Sequence, residues 1–427
     1  MVETNTRVLE NVPSPFCGIA SDDLTIQVSG NTLKVLENGD SITVAGFEQP
    51  LTDTQPRVAG KDVTLQEAVS AVAGLLKAAR LPVFSGFGTD VNDTRAALSL
   101  ADRSGAVLDQ ARSEGGLRNL LVLADSGWFA TTLGELKNRV EVLVVFGSDI
   151  ESDFPRFYER FIWPQETLFG QDAGKREIIY IGRAPSGEAS TAPDGRKPVV
   201  LPCALEDLPA VAAAFNALTH GARLQATHVG GIAVADLAAV LERVKQAHYS
   251  VFTWAAGHLA YAHADLTVQQ LSAAVVALNA GGLTRSAILP LGGQDGDRTA
   301  SQVFAWQSGY PTRISYARGY PEYDPYHFSV ARLLQSGEAD VLIWISTLNA
   351  RLAPPATHIP TVVIGRSGMR FEREPDVYIP VSTPGIDHAG HMYRCDNVVC
   401  LPLHKLRDSN LPTGSAVLAA IEKALEE

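Results

Sequence analysis

Apolar and polar positions recur with two different periods along this chain, and the change of period divides it. Over residues 13–48 the period is short. SDDLTIQVSGNTLKVLENGDSITVAGF alternates polar and apolar residues, with SGN and NGD as hairpin turns, which predicts short strands throughout. Residues 49–62 read as a polar link. From Thr64 the period lengthens. LQEAVSAVAGLLKAAR has helical spacing, LPVFSGFGTD is an apolar strand ending in glycines, VNDTRAALSLADRSG is a helix and AVLDQ a strand. LGELKNRVEVLVVFGSD, KREIIYIGR, LPAVAAAFNALTHG, VADLAAVLERVKQAH, YSVFTWAAG, DLTVQQLSAAVVALNAGG, FSVARLLQSGEADVLIWIST, HIPTVVIGRSG and DVYIPVS continue the alternation, and TGSAVLAAIEKALEE closes the chain as a helix.

Strands alternating with helices predict parallel sheets with helices on both faces. The expected architecture is α/β: interwoven, doubly wound, mostly parallel sheets with a small N-terminal β cap. Its expected parts are 1–62 (cap and link), 63–145 (first part of the α/β body), 146–315 (an inserted α/β domain) and 316–427 (return to the body and closing helix). A length of 427 residues, 46% of them hydrophobic, suits two or three domains. In such sheets ligands sit beyond the carboxyl ends of the strands. Those ends are SGFGTD (85–90), FGSDIESD (146–153), IGRAPSGE (181–188), AAGHLA (255–260), LGGQDGD (291–297) and STLNAR (346–351).

Charge narrows the partners. A net charge of −12 repels a phosphate backbone, so nucleic acid and anionic membranes are excluded as expected partners. The longest apolar runs, such as VEVLVVFG (140–147), are strand-sized and well short of the roughly 20 residues of a spanning helix. MVETNTRVLENV carries no signal-peptide pattern, so a cytoplasmic location is expected. The four cysteines, Cys17, Cys203, Cys395 and Cys400, are widely spread and read as buried or partly buried thiols.

One stretch carries candidate chemistry. PSPFCGIASDD (13–23) has the spacing of an iron–sulfur cradle, Cys-x-x-Cys-x-x-x-Cys, with serine at Ser14 and Ser21 and only Cys17 left. Together with SGAVLDQARSEGG, TTLGELKNRVEVLVVFGSDIESDFPRFYERF, QVFAWQSGYPTRISYARGYPEYDP and PVSTPGIDHAGHMYRCDNV, taken in that order, it resembles the B subunit of formylmethanofuran dehydrogenase nearly end to end. That family lies in the tungsten- and molybdenum-dependent formate dehydrogenase superfamily, so the resemblance implies a formate dehydrogenase/DMSO reductase-like fold.

The departures from the family govern the functional expectation. A cubane needs thiolates, because soft iron binds soft sulfur, and serine hydroxyls stay protonated. The family's fourth cluster cysteine has no counterpart between Ser21 and Pro202. Its sulfur or selenium ligand to the metal falls at Gly115 in RSEGG (112–116). Glu114, a hard carboxylate, is the nearest potential ligand, and Gly116 or Leu117 stands where the family has a histidine. At the pterin position Asp149 and Ile150 replace Asn-Pro, and Asp149, Glu151 and Asp153 would repel a pyrophosphate. After the next strand Gly182 replaces the family's acidic residue for the nucleotide. The expected site is therefore a set of degenerate positions, Ser14, Cys17, Ser21, Gly115, Asp149 and Gly182, with no catalytic residue, metal or cofactor on this chain.

This pattern is similar to the B subunit of the formyltransferase/hydrolase complex of methylotrophic bacteria. The resemblance implies a non-catalytic member of a hetero-oligomer. Its partners would be an amidohydrolase-like A subunit, a C subunit and a formyltransferase subunit, with the metal and the methanofuran-type carrier held by those partners. The complex would convert formyl-tetrahydromethanopterin through a formyl-methanofuran-type carrier to formate. The competing expectation is a working molybdopterin or tungstopterin oxidoreductase, which needs a metal ligand the sequence lacks. A third is a hydrolase or transferase activity in a vacated cavity, with Asp149, Glu151, Asp295 and Asp297 clustered there.

Other motifs read more plainly. His388, His391, Cys395 and Cys400 are zinc-type residues, but their spacing is not that of a finger; they read as a loop histidine pair and two buried thiols on a strand. His258 reads as a polar loop histidine, with a general-base role as its rival. The glycine turns at 85–90 and 291–297 lack a P-loop ending. RGYPEYDPYHF (318–328) suits a pocket lining or an interface.

Overall fold

The computed structural model describes residues 6–282 and 284–427. Residues 1–5 of the expected cap lie outside the described residues. The chain opens with three antiparallel strands, β1 (Thr6–Val12), β2 (Leu24–Ser29) and β3 (Thr32–Glu37). The expected strand SITVAGF is instead a helix, α1 (Ser41–Phe47). Asp40 decides it: its Oδ1 accepts the Ile42 and Thr43 N–H groups at 2.9 and 2.8 Å, and a good N-cap outweighs a short alternating pattern. The polar link is not structureless either. β4 (Arg57–Val58) and β5 (Lys61–Asp62) extend a large sheet at one edge.

Then come α2 (Leu65–Ala78), β6 (Pro82–Gly88), α3 (Val91–Ser104) and β7 (Val107–Leu108). A reciprocal capping box starts α2: Glu67 N–H donates to Thr64 Oγ1 at 3.2 Å and Thr64 N–H donates to Glu67 Oε2 at 2.8 Å. The middle of the chain holds α4 (Ser113–Asp125), α5 (Leu133–Arg139), β8 (Val142–Phe146), β9 (Glu177–Gly182), β10 (Val199–Pro202) and α6 (Leu208–Thr219). It continues with β11 (His228–Val229), β12 (Ile232–Ala233), α7 (Val234–Gln246), β13 (Tyr249–Ala255), α8 (Ala264–Ala280) and β14 (Arg285–Leu291). The last part holds α9 (Asp297–Ser308), β15 (Ile314–Ser315), β16 (Glu322–Tyr323), α10 (Val330–Ser336), β17 (Val341–Ser346) and β18 (Thr361–Arg366). It ends with β19 (Val377–Val381), β20 (Gly390–Tyr393), β21 (Cys400–Leu403) and α11 (Gly414–Glu426).

These elements form two units, residues 1–113 with 293–427, and residues 114–292. The insert thus starts with α4 and ends with β14, where the pattern alone places its bounds at 146 and 315. The apolar runs mark strands and helices but not which sheet each strand joins.

The first unit carries a nine-stranded sheet in the order β16-β15-β7-β6-β17-β18-β19-β4-β5. Its centre, β7 to β19, is parallel, and antiparallel pairs close both edges. Its core joins the sheet to α2, α3, α9 and α11 through Val72, Leu100, Phe304, Ile345 and Leu418. The cap has its own small core around Phe16, Ile26 and Phe47, which takes in Ile386 and Leu406 from the chain's last loops. The second unit carries a fully parallel five-stranded sheet, β10-β9-β8-β13-β14. In each sheet the strand order reverses once, between β6 and β17 and between β8 and β13. Those are the places where an α/β sheet offers a crevice.

Candidate functional site

The cradle residues are engaged by the chain itself. Ser14 N–H donates to the Ser21 carbonyl at 2.7 Å and Ala20 N–H to the Cys17 carbonyl at 2.8 Å, so the segment closes as a compact turn. Ser14 Oγ lies 3.1 Å from Thr43 Oγ1, and Thr43 Oγ1 donates to Asp40 Oδ2 at 2.9 Å. The serine is thereby absorbed into the cap of α1. Ser14, Cys17 and Ser21 are all buried, and Cys395 N–H donates to the Gly18 carbonyl at 2.8 Å. Cys17, with Cys395 beside it and serine hydroxyls in the other places, falls short of the thiolate set an iron–sulfur cluster needs.

The expected metal position does not fit either. A Cβ on Gly115 would stand 3.0 Å from both Ala256 C and Gly257 N, tight backbone contacts that leave little room for a side chain. Glu114 lies in the first turn of α4.

At the strand ends of the second unit the acidic residues turn inward. Asp149 is buried and its Oδ1 accepts the Glu151 N–H at 3.1 Å. Glu151 Oε1 accepts the Ser190 N–H at 2.7 Å, and its Oε2 is buried against Gly187. Beneath them the Tyr158 and Tyr180 hydroxyls meet at 2.6 Å, and burial raises both phenols well above their usual range. Gly182 has φ +97° and faces Leu208: a Cβ there would come within 2.9 Å of Leu208 Cδ2 and 3.3 Å of Gly147 Cα. Leu208 thus fills the space a side chain at position 182 would take. Across the β8/β13 switch point Asp153 Oδ2 lies 3.1 Å from His258 Nε2. His258 is therefore a paired histidine, and nothing in the residue spacing points to its partner.

In the first unit the strand-end loops also close on each other. Asp295 accepts from Asn349 Nδ2 at 2.7 Å and pairs with Arg112 at 3.0 Å. Arg112 also donates to Gln294 at 2.8 Å. Burial raises the Asp297 carboxyl. Asp295 and Asp297 belong to the first unit, Asp149 and Glu151 to the second, and each pair is bound within its own unit.

The His/Cys stretch is scattered. His388 Nδ1 lies 2.9 Å from Ser382 Oγ, His391 is exposed, and Cys395 is buried, its thiol raised by that burial. Cys400 corrects the expectation: it is exposed, on the two-stranded ribbon of β20 and β21. Among the described residues no three His, Cys, Asp or Glu side chains converge in a way that could hold a metal ion. Residues 318–328 lie at the outer edge of the large sheet, with Tyr323 stacked on Tyr310 at 5.4 Å and Tyr320 and Tyr326 exposed.

Two polar clusters have no sequence signal strong enough to single them out. Asp109, at the end of β7, and Arg313, in the distant segment before β15, form a buried ion pair at 3.5 Å. Asp90 and Asp93 are buried together at the start of α3. The D-x-x-D spacing of the latter is a readable helix start, but its burial depends on segments about three hundred residues away.

No protein-family model matches the chain. It is 27% identical over 408 residues to the B subunit of the tungsten-containing formylmethanofuran dehydrogenase 2 of Methanocaldococcus jannaschii, covering 92% of each chain. The same-named protein of Methanococcus maripaludis is 25% identical over 435 residues, covering 98% of each. The B subunit of the formyltransferase/hydrolase complex Fhc of Methylorubrum extorquens is 27% identical over 348 residues, 79% of this chain and 87% of that protein. Among solved structures, the crystal structure of the M. extorquens formyltransferase/hydrolase complex (FhcABCD) with methylofuran contains a chain that matches with a TM-score of 0.73 at 25% identity. The match covers 87% of this chain and 98% of that one. The fold is mixed α/β with parallel sheets, similar to that crystal structure, and no helix among the described residues is long and apolar enough to cross a membrane. The chain is a homologue of the B subunits of formylmethanofuran dehydrogenase and of the formyltransferase/hydrolase complex.

Proposed function

We propose that this chain is the structural, non-catalytic B subunit of a formyltransferase/hydrolase complex with the formate dehydrogenase-type fold. The complex would act in the cytoplasm on formyl-tetrahydromethanopterin and release formate through a methanofuran-type carrier in one-carbon metabolism. The chain would bind no iron–sulfur cluster, no tungsten or molybdenum and no pterin. An amidohydrolase-like A subunit, a C subunit and a formyltransferase subunit would carry the chemistry. Hydrolysis moves no electrons, so a redox fold can persist as a rigid support that fixes the other subunits in place. The observation that carries this reading is Gly115, where the backbone of Ala256 and Gly257 crowds the place a metal-ligating side chain would need.

The test is metal content. The protein, purified gently with its native partners, is expected to hold tungsten, molybdenum and iron near zero per copy of this chain while formate production is intact. Plasma mass spectrometry reads all three. The rival reading, one chain of a tungsten- or molybdenum-dependent dehydrogenase, is favoured by the two long archaeal matches. Tungsten or molybdenum approaching one per chain would establish it and end the structural reading.

A second expectation follows for the cradle. Ser14→Cys with Ser21→Cys should not create formate-linked dye reduction, because a fourth thiol and the metal ligand are still missing. Dye reduction by that variant would overturn the reading.

A further inference from the structure

The start of α3, the loop 382–391 and the start of α11 meet at a buried corner of the first unit. Asp90 and Asp93 are both fully buried there. Asp90 caps α3, its Oδ1 accepting the Asp93 N–H at 3.0 Å. Its Oδ2 is buried without a hydrogen-bond partner and lies against Gly390, where a Cβ would stand only 2.4 Å away. Asp93 has both oxygens engaged. Oδ2 accepts from Thr89 Oγ1 at 2.7 Å, and Thr89 accepts in turn from Thr347 Oγ1 at 2.7 Å. Oδ1 accepts the Ser415 N–H at 2.6 Å, in the first turn of α11, and Gly414 lies against the same carboxylate. Asp93 therefore anchors the N-terminus of the closing helix, where a negative charge is favoured, and Asp90 seats the loop.

The charged groups around this corner do not neutralise Asp90. The charge that weighs on it is that of Asp93, on its own helix. From the loop, His388 is half-buried, its proton affinity lowered by that burial and raised by Asp93 and Asp387, with Lys405 opposing. Asp387 is bound to Arg407 at 2.7 Å. His391 turns an exposed side chain outward and presents its backbone N–H toward Asp90. The first turn of α11 holds no acidic side chain. α9, also packed on α3, contributes Thr299, whose Oγ1 accepts the Tyr393 N–H at 2.9 Å.

We propose that Asp90 holds a proton in the folded chain, beside Asp93, and that its loss loosens the clasp joining α3 to the 382–391 loop and α11. Two neighbouring carboxylates in a buried place do not both ionise cheaply. The proton belongs on Asp90, because both Asp93 oxygens already accept hydrogen bonds. Burial first, then the Asp93 charge, pushes the Asp90 carboxyl up to about 7. A carboxyl raised in the folded state stabilises fully below its free value of about 4 and loses that contribution as pH climbs through the folded value.

The test is hydrogen–deuterium exchange on the full-length chain at pH 6.0 and 8.5, corrected for intrinsic rates. In the wild type, amides of 382–391 and the first turns of α11 should open about tenfold more often at pH 8.5, the effect of one pKa unit, while β17 and β18 stay unchanged. Asp90→Asn keeps a good N-cap and should abolish the difference. A wild type with no pH dependence in these segments, or a variant that keeps it, overturns the proposal. Infrared difference spectra give a second readout. A carboxylic-acid carbonyl band should bleach between pH 6.0 and 8.5 in the wild type and be missing from Asp90→Asn, and a band of equal size in both overturns the proposal equally.

Discussion

Gly182→Asp is expected to lower the stability of the second unit by about 3 to 5 kcal/mol and to create no nucleotide binding. The substitution introduces the acidic residue type that the resemblance to formylmethanofuran dehydrogenase implies at this place. Three costs add. Gly182 has φ +97°, which an L side chain adopts only with strain of about 1–2 kcal/mol. The new Cβ would press on Leu208 Cδ2 at 2.9 Å, and overpacking costs about 1–3 kcal/mol more. The carboxylate would then sit at the buried end of β9 beside Leu208, and burying a charge costs more again. Gly182→Ala separates the terms, since it carries the first two and lacks the charge; it should lose less than the aspartate variant, and at least about 2 kcal/mol. Urea unfolding of both variants, followed by hydrogen exchange within β8 and β9, measures the loss. An aspartate variant as stable as the wild type would mean that the end of β9 is open, and that a nucleotide place persists there.

The same contrast between local pattern and distant contact runs through the whole chain. The periods of apolar residues locate β6, β8, β13, β17 and β18 well, because buried parallel strands are short apolar runs between helices of clear spacing. They fail at SITVAGF, where one capping aspartate outweighs alternation, and at 57–62, where two-residue strands are held by the sheet edge rather than by their own side chains. Gly115 and Gly182 are readable as departures from a family pattern. That Leu208 fills the space beside one, and the 256–257 backbone crowds the other, depends on segments that contact them only in the folded chain. From sequence, Asp149 and Glu151 read as strand-end charges that would repel a pyrophosphate. Both instead turn into the second unit and accept its backbone N–H groups, because a buried carboxylate requires donors and the chain supplies them.

Arg313→Leu is expected to cost about 3 to 5 kcal/mol, the usual penalty for removing one partner of a buried ion pair. Arg313 and Asp109 lie 3.5 Å apart with side chains almost wholly buried. Asp109 also accepts from Thr312 Oγ1 at 3.0 Å and from the Val330 N–H at 3.1 Å. Arg313 reaches the Pro325 carbonyl and Ser113 Oγ. The pair thus pins the end of β7 to the 312–330 segment. Leucine removes the cation and leaves a carboxylate in the interior. The sign of the pH effect follows from Asp109, whose carboxyl is pushed up to about 6 by burial, with Arg313 opposing. Its folded value already exceeds its free value of about 4, so stability falls as pH rises between them. Without the arginine the folded value climbs further and the falling range extends upward. The variant should therefore be closer to wild type at pH 5, where Asp109 takes up a proton, than at pH 8, where it must stay charged or unfold. Arg313→Leu combined with Asp109→Asn should recover part of the loss at pH 8 and little at pH 5, because the stranded charge is then gone. Urea unfolding of the two variants and the wild type at both pH values closes the cycle. A loss of equal size at pH 5 and pH 8, unrelieved by Asp109→Asn, would show that Arg313 acts through its packing and its bonds to Pro325 and Ser113 instead of through the Asp109 charge.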